Sequence, residues 1–184
     1  MSEGTPLARA ARRVETLLAL VSRAAAGIAG IACLATLAMI CYAVAMRYFL
    51  SRPQGWTDEA VGWLVVVAVM FAVPEAQRRA EHIGVDALID KASARWRRIL
   101  LGFGVFSVAL TALILIREGW EMVAFSRMIG LKAIGIPEVS LWSIQLFVPL
   151  GAVLLLLVSL GQLFCHAAGL EPQGPEPDAL DVHE

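Results

Sequence analysis

Residues 47–90 read RYFLSRPQGWTDEAVGWLVVVAVMFAVPEAQRRAEHIGVDALID. Arg47-Tyr48 closes an uncharged stretch that runs from Ala24 to Met46, and Pro53 and Gly55 break the chain behind it. Trp56-Thr57-Asp58-Glu59 then opens a second apolar run, Ala60 to Val73, which ends at Glu75, Arg78 and Arg79. Further on, Ile99 to Ile116 and Val139 to Cys165 are also free of charge. Crossing a hydrocarbon core of about 30 Å takes about 20 apolar residues in a helix. Three segments meet that length, and the second meets it if Glu75 lies near the headgroups. The pattern predicts an all-α integral membrane protein with four transmembrane helices, spanning about 24–46, 58–77, 99–118 and 139–165.

Composition supports that class. The chain has 184 residues, of which 59% are hydrophobic and 17% charged, and its mean hydropathy is +0.72. A soluble domain carries about 45–50% apolar and about 25% charged residues. The N-terminus has Arg9, Arg12 and Arg13 before an apolar run, as a secretion signal does. A signal's apolar region is about 7–15 residues long, shorter than this one, so the segment reads as an uncleaved helix. A net charge of −1 gives no reason to expect a nucleic-acid partner. Cys33, Cys41 and Cys165 fall inside spans without paired or metal-ligand spacing, and read as small packing residues.

Charge asymmetry orients the spans. Arg9, Arg12, Arg13 and Arg23 precede the first span, and Arg78, Arg79, Lys91, Arg95, Arg97 and Arg98 lie between the second and third; together these are ten of the 15 basic residues. Basic residues flanking spans favour the cytoplasm, so the N-terminus, the 78–98 connection and the C-terminus are expected inside. Trp56, Trp63, Trp120 and Trp142 then map near the outer rims and Trp96 near the inner one, as an interfacial aromatic belt would. Residues 1–23 form an expected amphipathic N-terminal segment, 24–168 the membrane domain, and the acidic, Pro-rich 169–184 a disordered tail. Val85, Leu88, Ile89 and Ala92 follow helical spacing and predict an interfacial amphipathic helix between the second and third spans. Thr57 is placed to cap the second helix, with Asp58 and Glu59 in its first turn. Pro137 is placed at the first turn of the fourth helix. The third helix meets no breaker except Gly119 before Gly130, so it is expected to run on toward Met128.

Chemistry within a bilayer needs ionisable groups or ligands at depth, where a charge costs about 2.5–3.5 kcal/mol even on lenient scales. The main intraspan polar groups here are Thr36, Ser107, Thr111, Gln145 and Ser159, each able to bond within its own helix or to a neighbour. Glu75 precedes Arg78 by three residues and Arg79 by four, the spacing of a rim ion pair. A membrane haem needs axial histidines on facing helices, but His82, His166 and His183 cannot meet at mid-depth. No nucleophile motif, phosphate loop or metal cluster stands out, so no catalytic, cofactor or metal site is assigned and the chain does not read as an enzyme. The remaining constellation is Arg47, Trp56, Glu59, His82 and Asp86. Arg47 and Glu59 share one rim and can form an ion pair, although Arg47 can equally snorkel to the headgroups. His82 and Asp86 share a face if their segment is helical.

In order and spacing these pieces resemble the small membrane subunit (DctQ type) of tripartite ATP-independent periplasmic (TRAP) transporters. The resemblance covers roughly residues 15–165. It rests on Arg47-Tyr48, Trp56-Thr57-Asp58-Glu59, His82-Ile83-Gly84-Val85-Asp86, and Gly135-Ile136-Pro137 leading to Pro149-Leu150-Gly151. It implies a non-catalytic subunit of the bacterial inner membrane that scaffolds a large permease subunit. It further implies a periplasmic solute-binding protein as partner and symport of an organic acid, such as a dicarboxylate, on an ion gradient. Arg47, Tyr48, Trp56, Glu59, His82, Asp86, Gly135, Pro137, Pro149 and Gly151 become candidates for bracing or partner contact. Val73-Pro74-Glu75 departs from the family pattern, and Pro74 is expected to kink the second helix. Two alternatives remain: the small subunit of a tripartite tricarboxylate transporter, and a self-contained homo-oligomeric carrier or channel packing through Ala26, Gly27, Gly30, Gly102 and Gly151.

Overall fold

A computed structural model describes residues 6–52, 54–79, 94–136 and 138–167. Its elements are α1 (Pro6–Tyr48), α2 (Gly55–Arg79), α3 (Ala94–Ile129), a short α4 (Leu141–Gln145) and α5 (Phe147–Ala167). Among the described residues, four segments are long and apolar enough to cross a membrane: Thr16–Tyr48, Gly55–Arg79, Ile99–Ile129 and Leu141–Phe164. The expected number of spans is present, and the helices run further than the apolar runs alone suggested. The segment before Ala24 joins the first span in one helix of 43 residues. α3 continues to Ile129, where Gly130 takes φ 71° and the Leu131 amide bonds the Ser126 carbonyl at 3.0 Å, closing the helix in a Schellman turn. The expected interfacial helix, His82, Asp86, Pro137 and the acidic tail lie outside the described residues.

The helices form an open cluster. α1 lies along α2, and α5 packs on α2, α3 and α1, while α3 contacts mainly α5 and α4. The fourth span, made of α4 and α5, is therefore the central one: 33% of its most apolar stretch is buried, against 11% for each of the other spans. Lipid gives helices no hydrophobic reason to associate, so close packing through small side chains must supply the attraction. The buried stripes fit that requirement: Ser22, Ala25, Ala29 and Ala32 on α1, Ala109, Ala112 and Val123 on α3, and Ala152, Leu155, Val158 and Ser159 on α5. The outward faces carry the large residues, such as Ile31, Leu34, Phe103 and Leu113. Cys33 and Cys41 also point outward. They do not pack inside the cluster as expected, because each falls off the Ala25–Ala29–Ala32 stripe.

Two prolines shape the centre. Pro74 is buried inside α2, which continues unbroken to Arg79. It has no amide hydrogen, so the Met70 carbonyl four residues earlier receives no helical bond from it. Gly151 of α5 faces that carbonyl: an added β-carbon would stand 2.6 Å from Met70 O and 2.7 Å from Met70 Cβ. Only a residue without a side chain lets the two backbones approach so closely. Pro149 similarly leaves the Gln145 carbonyl without its helical donor, and there the fourth span divides into α4 and α5. Pro149 also packs against Gly119 of α3, whose added β-carbon would meet Pro149 Cδ at 3.2 Å.

Candidate functional site

The polar side chains gather at the two ends of the cluster, and each group ties together helices far apart in sequence. Between them the hydroxyls of Thr36, Ser107, Thr111 and Ser159 donate to carbonyls one turn earlier in their own helices. Gln145 Oε1 is buried with no partner among the described residues.

The first clasp centres on Glu75. Its carboxylate is buried, and Arg78 grips both oxygens, Nε to Oε2 at 2.8 Å and Nη2 to Oε1 at 2.7 Å. Arg79 Nε donates to Oε1 at 2.9 Å. The rim ion pair read from the i,i+3 and i,i+4 spacing is present. The spacing gave no hint of the third partner, Ser22 of α1, whose hydroxyl donates to Glu75 Oε2 at 2.5 Å. A neighbouring pair extends the clasp to α5: Gln77 Nε2 donates to Gln162 Oε1 at 2.8 Å, and Gln162 Nε2 returns a bond to the Gln77 carbonyl at 2.9 Å. α1, α2 and α5 are thus locked at one end by charged and amide groups that satisfy one another.

The second clasp centres on Glu59, at the opposite end of α2. Beyond Gly130 the chain doubles back: the Ala133 amide bonds the Val139 carbonyl at 3.0 Å, and the Leu141 amide bonds the Leu131 carbonyl at 3.0 Å. This hairpin-like loop turns its tip toward α2. The Ile134 amide donates to Glu59 Oε1 at 3.2 Å, and the Gly135 amide to Glu59 Oε2 in a short bond. Gly135 sits against the helix itself, since an added β-carbon would stand 2.6 Å from Trp56 Cα. Arg127 lies 5.6 Å above the Trp142 ring, and the Tyr42 and Trp56 rings meet at a tilt with centroids 6.3 Å apart, so cation–π and aromatic contacts complete this end.

Several expectations change here. The ion pair with Arg47 is not formed: Glu59 accepts backbone amides, and Arg47 lines a cavity of about 330 Å³ with Gln54, Thr57 and Asp58. Thr57 is not the helix cap, because α2 already begins at Gly55 and the Thr57 hydroxyl donates to the Gln54 carbonyl at 2.7 Å. That start leaves Asp58 in the first turn and moves Glu59 just beyond it. The last span begins at Leu141, four residues after Pro137. Tyr48 is exposed at the end of α1, whereas Gly135 packs its loop onto α2 at Trp56, and Pro149 and Gly151 sit where α5 meets α3 and α2.

Four spans, a basic end, a Glu59-anchored loop and a central helix packed through Gly151 all fall in one stretch of chain. A family model described as "Tripartite ATP-independent periplasmic transporters, DctQ component" matches residues 36–169. The chain belongs to the DctQ family. The match takes in the last part of α1 and every later helix, so both ends of the Glu59 clasp and most of the Glu75 clasp lie within it; Ser22 precedes it. A comparison with curated proteins returns no match. As a DctQ protein with four membrane-length helices, the chain is a membrane-bound small permease subunit of a TRAP transporter.

Proposed function

We propose that this DctQ subunit is a mechanical brace, which holds the large permease subunit of its transporter in place and performs no chemistry and no solute translocation of its own. One observation supports this most strongly. The buried Glu75 carboxylate and the Glu59 carboxylate at the opposite end are spent on clasps between distant segments of the subunit, while the helix crossings between them are lined by small residues and by hydroxyls bonded to their own helices. Such a body is stiff and presents apolar outward faces on α1 and α3 to lipid or to another membrane protein. The substrate and ion sites then belong to the large subunit, and a periplasmic solute-binding protein delivers the solute. The positive-inside distribution favours a cytoplasmic N-terminus, Glu75 clasp and C-terminus, with the Glu59 clasp at the periplasmic rim of a bacterial inner membrane. An organic acid such as a dicarboxylate, carried by symport on an ion gradient, is the cargo that the family resemblance favours.

Affinity purification of the tagged full-length chain from its native membranes tests the bracing role. A polytopic permease of the same transporter should be recovered in stoichiometric amount. Recovery of the chain only as a homo-oligomer would refute the proposal and favour a self-contained carrier.

A further inference from the structure

A cavity of about 330 Å³ opens between the last turns of α1 and the first turns of α2. Its walls change character along its length. Ile40, Val44 and Val61 line the part nearer the middle of the helices, and Arg47, Gln54 and Asp58 line the part at their ends. Seven residues separate Ile40 from Arg47, about 10 Å of helix, so the apolar floor reaches into the hydrocarbon region while the polar mouth stands at the membrane surface. Arg47 and Asp58 carry opposite charges at this mouth, yet they form no ion pair with each other or with any other described side chain. The Glu59 carboxylate that could have neutralised Arg47 is bonded to the 134–135 backbone instead.

We propose that this cavity is a binding site for a phospholipid with a zwitterionic, primary-amine headgroup, phosphatidylethanolamine being the simplest. The guanidinium of Arg47 takes the phosphate, which it can hold through two parallel hydrogen bonds. The ammonium two carbons away from that phosphate donates to Asp58. The start of an acyl chain lies along Ile40, Val44 and Val61. Charge complementarity selects this occupant among the lipids of a bilayer. An anionic headgroup without an amine would pair with Arg47 but leave its remaining group beside the Asp58 carboxylate. A choline headgroup carries the positive charge without a hydrogen to donate. A bound lipid here wedges the α1–α2 end of the subunit and satisfies two charges that the fold leaves without partners. The inference requires that α1 and α2 span a bilayer and is independent of the bracing role.

Native mass spectrometry of the purified full-length chain tests it, with detergent micelles supplied with equal amounts of phosphatidylethanolamine, phosphatidylcholine and phosphatidylglycerol. One phosphatidylethanolamine should stay bound through detergent removal, in about tenfold preference to either competitor, as expected for one extra charge-assisted hydrogen bond. Arg47→Ala should lower its retention about tenfold, and Arg47→Lys should restore part of it. Asp58→Asn should abolish the preference over phosphatidylcholine. Ala43→Phe, which fills the cavity while leaving both charges in place, should prevent retention. Equal retention of the three lipids, retention of none, or unchanged phosphatidylethanolamine binding in Ala43→Phe would overturn the proposal. The Asp58 and Ala43 variants decide the matter even if Arg47→Ala fails to fold.

Discussion

Replacing Gly151 with alanine adds a single methyl group at the point where α5 crosses α2. That methyl would stand 2.6 Å from Met70 O, 2.7 Å from Met70 Cβ and 3.0 Å from Met70 C. Two of these atoms are backbone, and the β-carbon is fixed to it, so no rotamer change relieves the overlap. Ordinary contact begins near 3.4 Å, and the helices must separate by about 0.8 Å to reach it. The Gln77–Gln162 bond lies 11 residues further along α5, about 16 Å away. A parallel displacement of 0.8 Å would stretch its 2.8 Å length beyond hydrogen-bonding range. Overpacking costs about 1–3 kcal/mol, and an interhelical hydrogen bond in a membrane contributes about 0.6 kcal/mol on average. Gly151→Ala should therefore destabilise the subunit by roughly 2–3 kcal/mol. At roughly 2–4 °C per kcal/mol for a chain of this size, its unfolding midpoint should fall by about 5–10 °C. Tryptophan fluorescence on heating in one detergent measures it, since Trp56 and Trp142 both sit at helix contacts. Gly27→Ala and Gly30→Ala are the controls: neither position has any atom within 4 Å of an added β-carbon, and both should be neutral or slightly stabilising. An unaltered midpoint in Gly151→Ala, or an equal loss in Gly27→Ala, would refute the packing at this crossing.

Glu59→Ala leaves the Ile134 and Gly135 amides without their acceptor and should cost about 1–3 kcal/mol; limited proteolysis should then cut the 131–140 loop faster than in the native chain. Arg47→Ala should leave that loop as resistant as before, since Glu59 does not depend on it. Glu75→Ala removes the shared acceptor of Ser22, Arg78 and Arg79 and should lower the unfolding midpoint more than Gln162→Leu, which removes one amide pair and costs about 1 kcal/mol. Cys33→Ala and Cys41→Ala should leave the unfolding midpoint unchanged, because both side chains point away from the cluster.

Features set by spacing along one helix were legible in the sequence. The uncharged runs marked four spans, Gly130 marked the end of α3, and the three- and four-residue offsets from Glu75 marked its ion pairs. Features set by contact between distant segments were not. Ser22 looks like any hydroxyl in an apolar span, and Ser159 and Thr36 do bond their own helices; what separates Ser22 is standing across from Glu75, 53 residues later. Gln162 carried a fainter signal, as an amide near the end of an apolar helix. Arg47 and Glu59 lie at one rim, which allows an ion pair in sequence but does not distinguish it from Arg47 snorkelling to the headgroups. Backbone amides 75 and 76 residues downstream of Glu59 leave no trace in composition. Gly151 was recognised as a packing residue, and only the position of Met70 shows that it serves a crossing inside the subunit.

The bracing account is tested most directly by solute uptake into proteoliposomes containing this subunit alone, the large permease subunit alone, or both, each with the binding protein and an imposed ion gradient. It predicts no uptake above empty vesicles for this subunit alone and full uptake only for the pair. Gradient-driven accumulation by this subunit alone would contradict it.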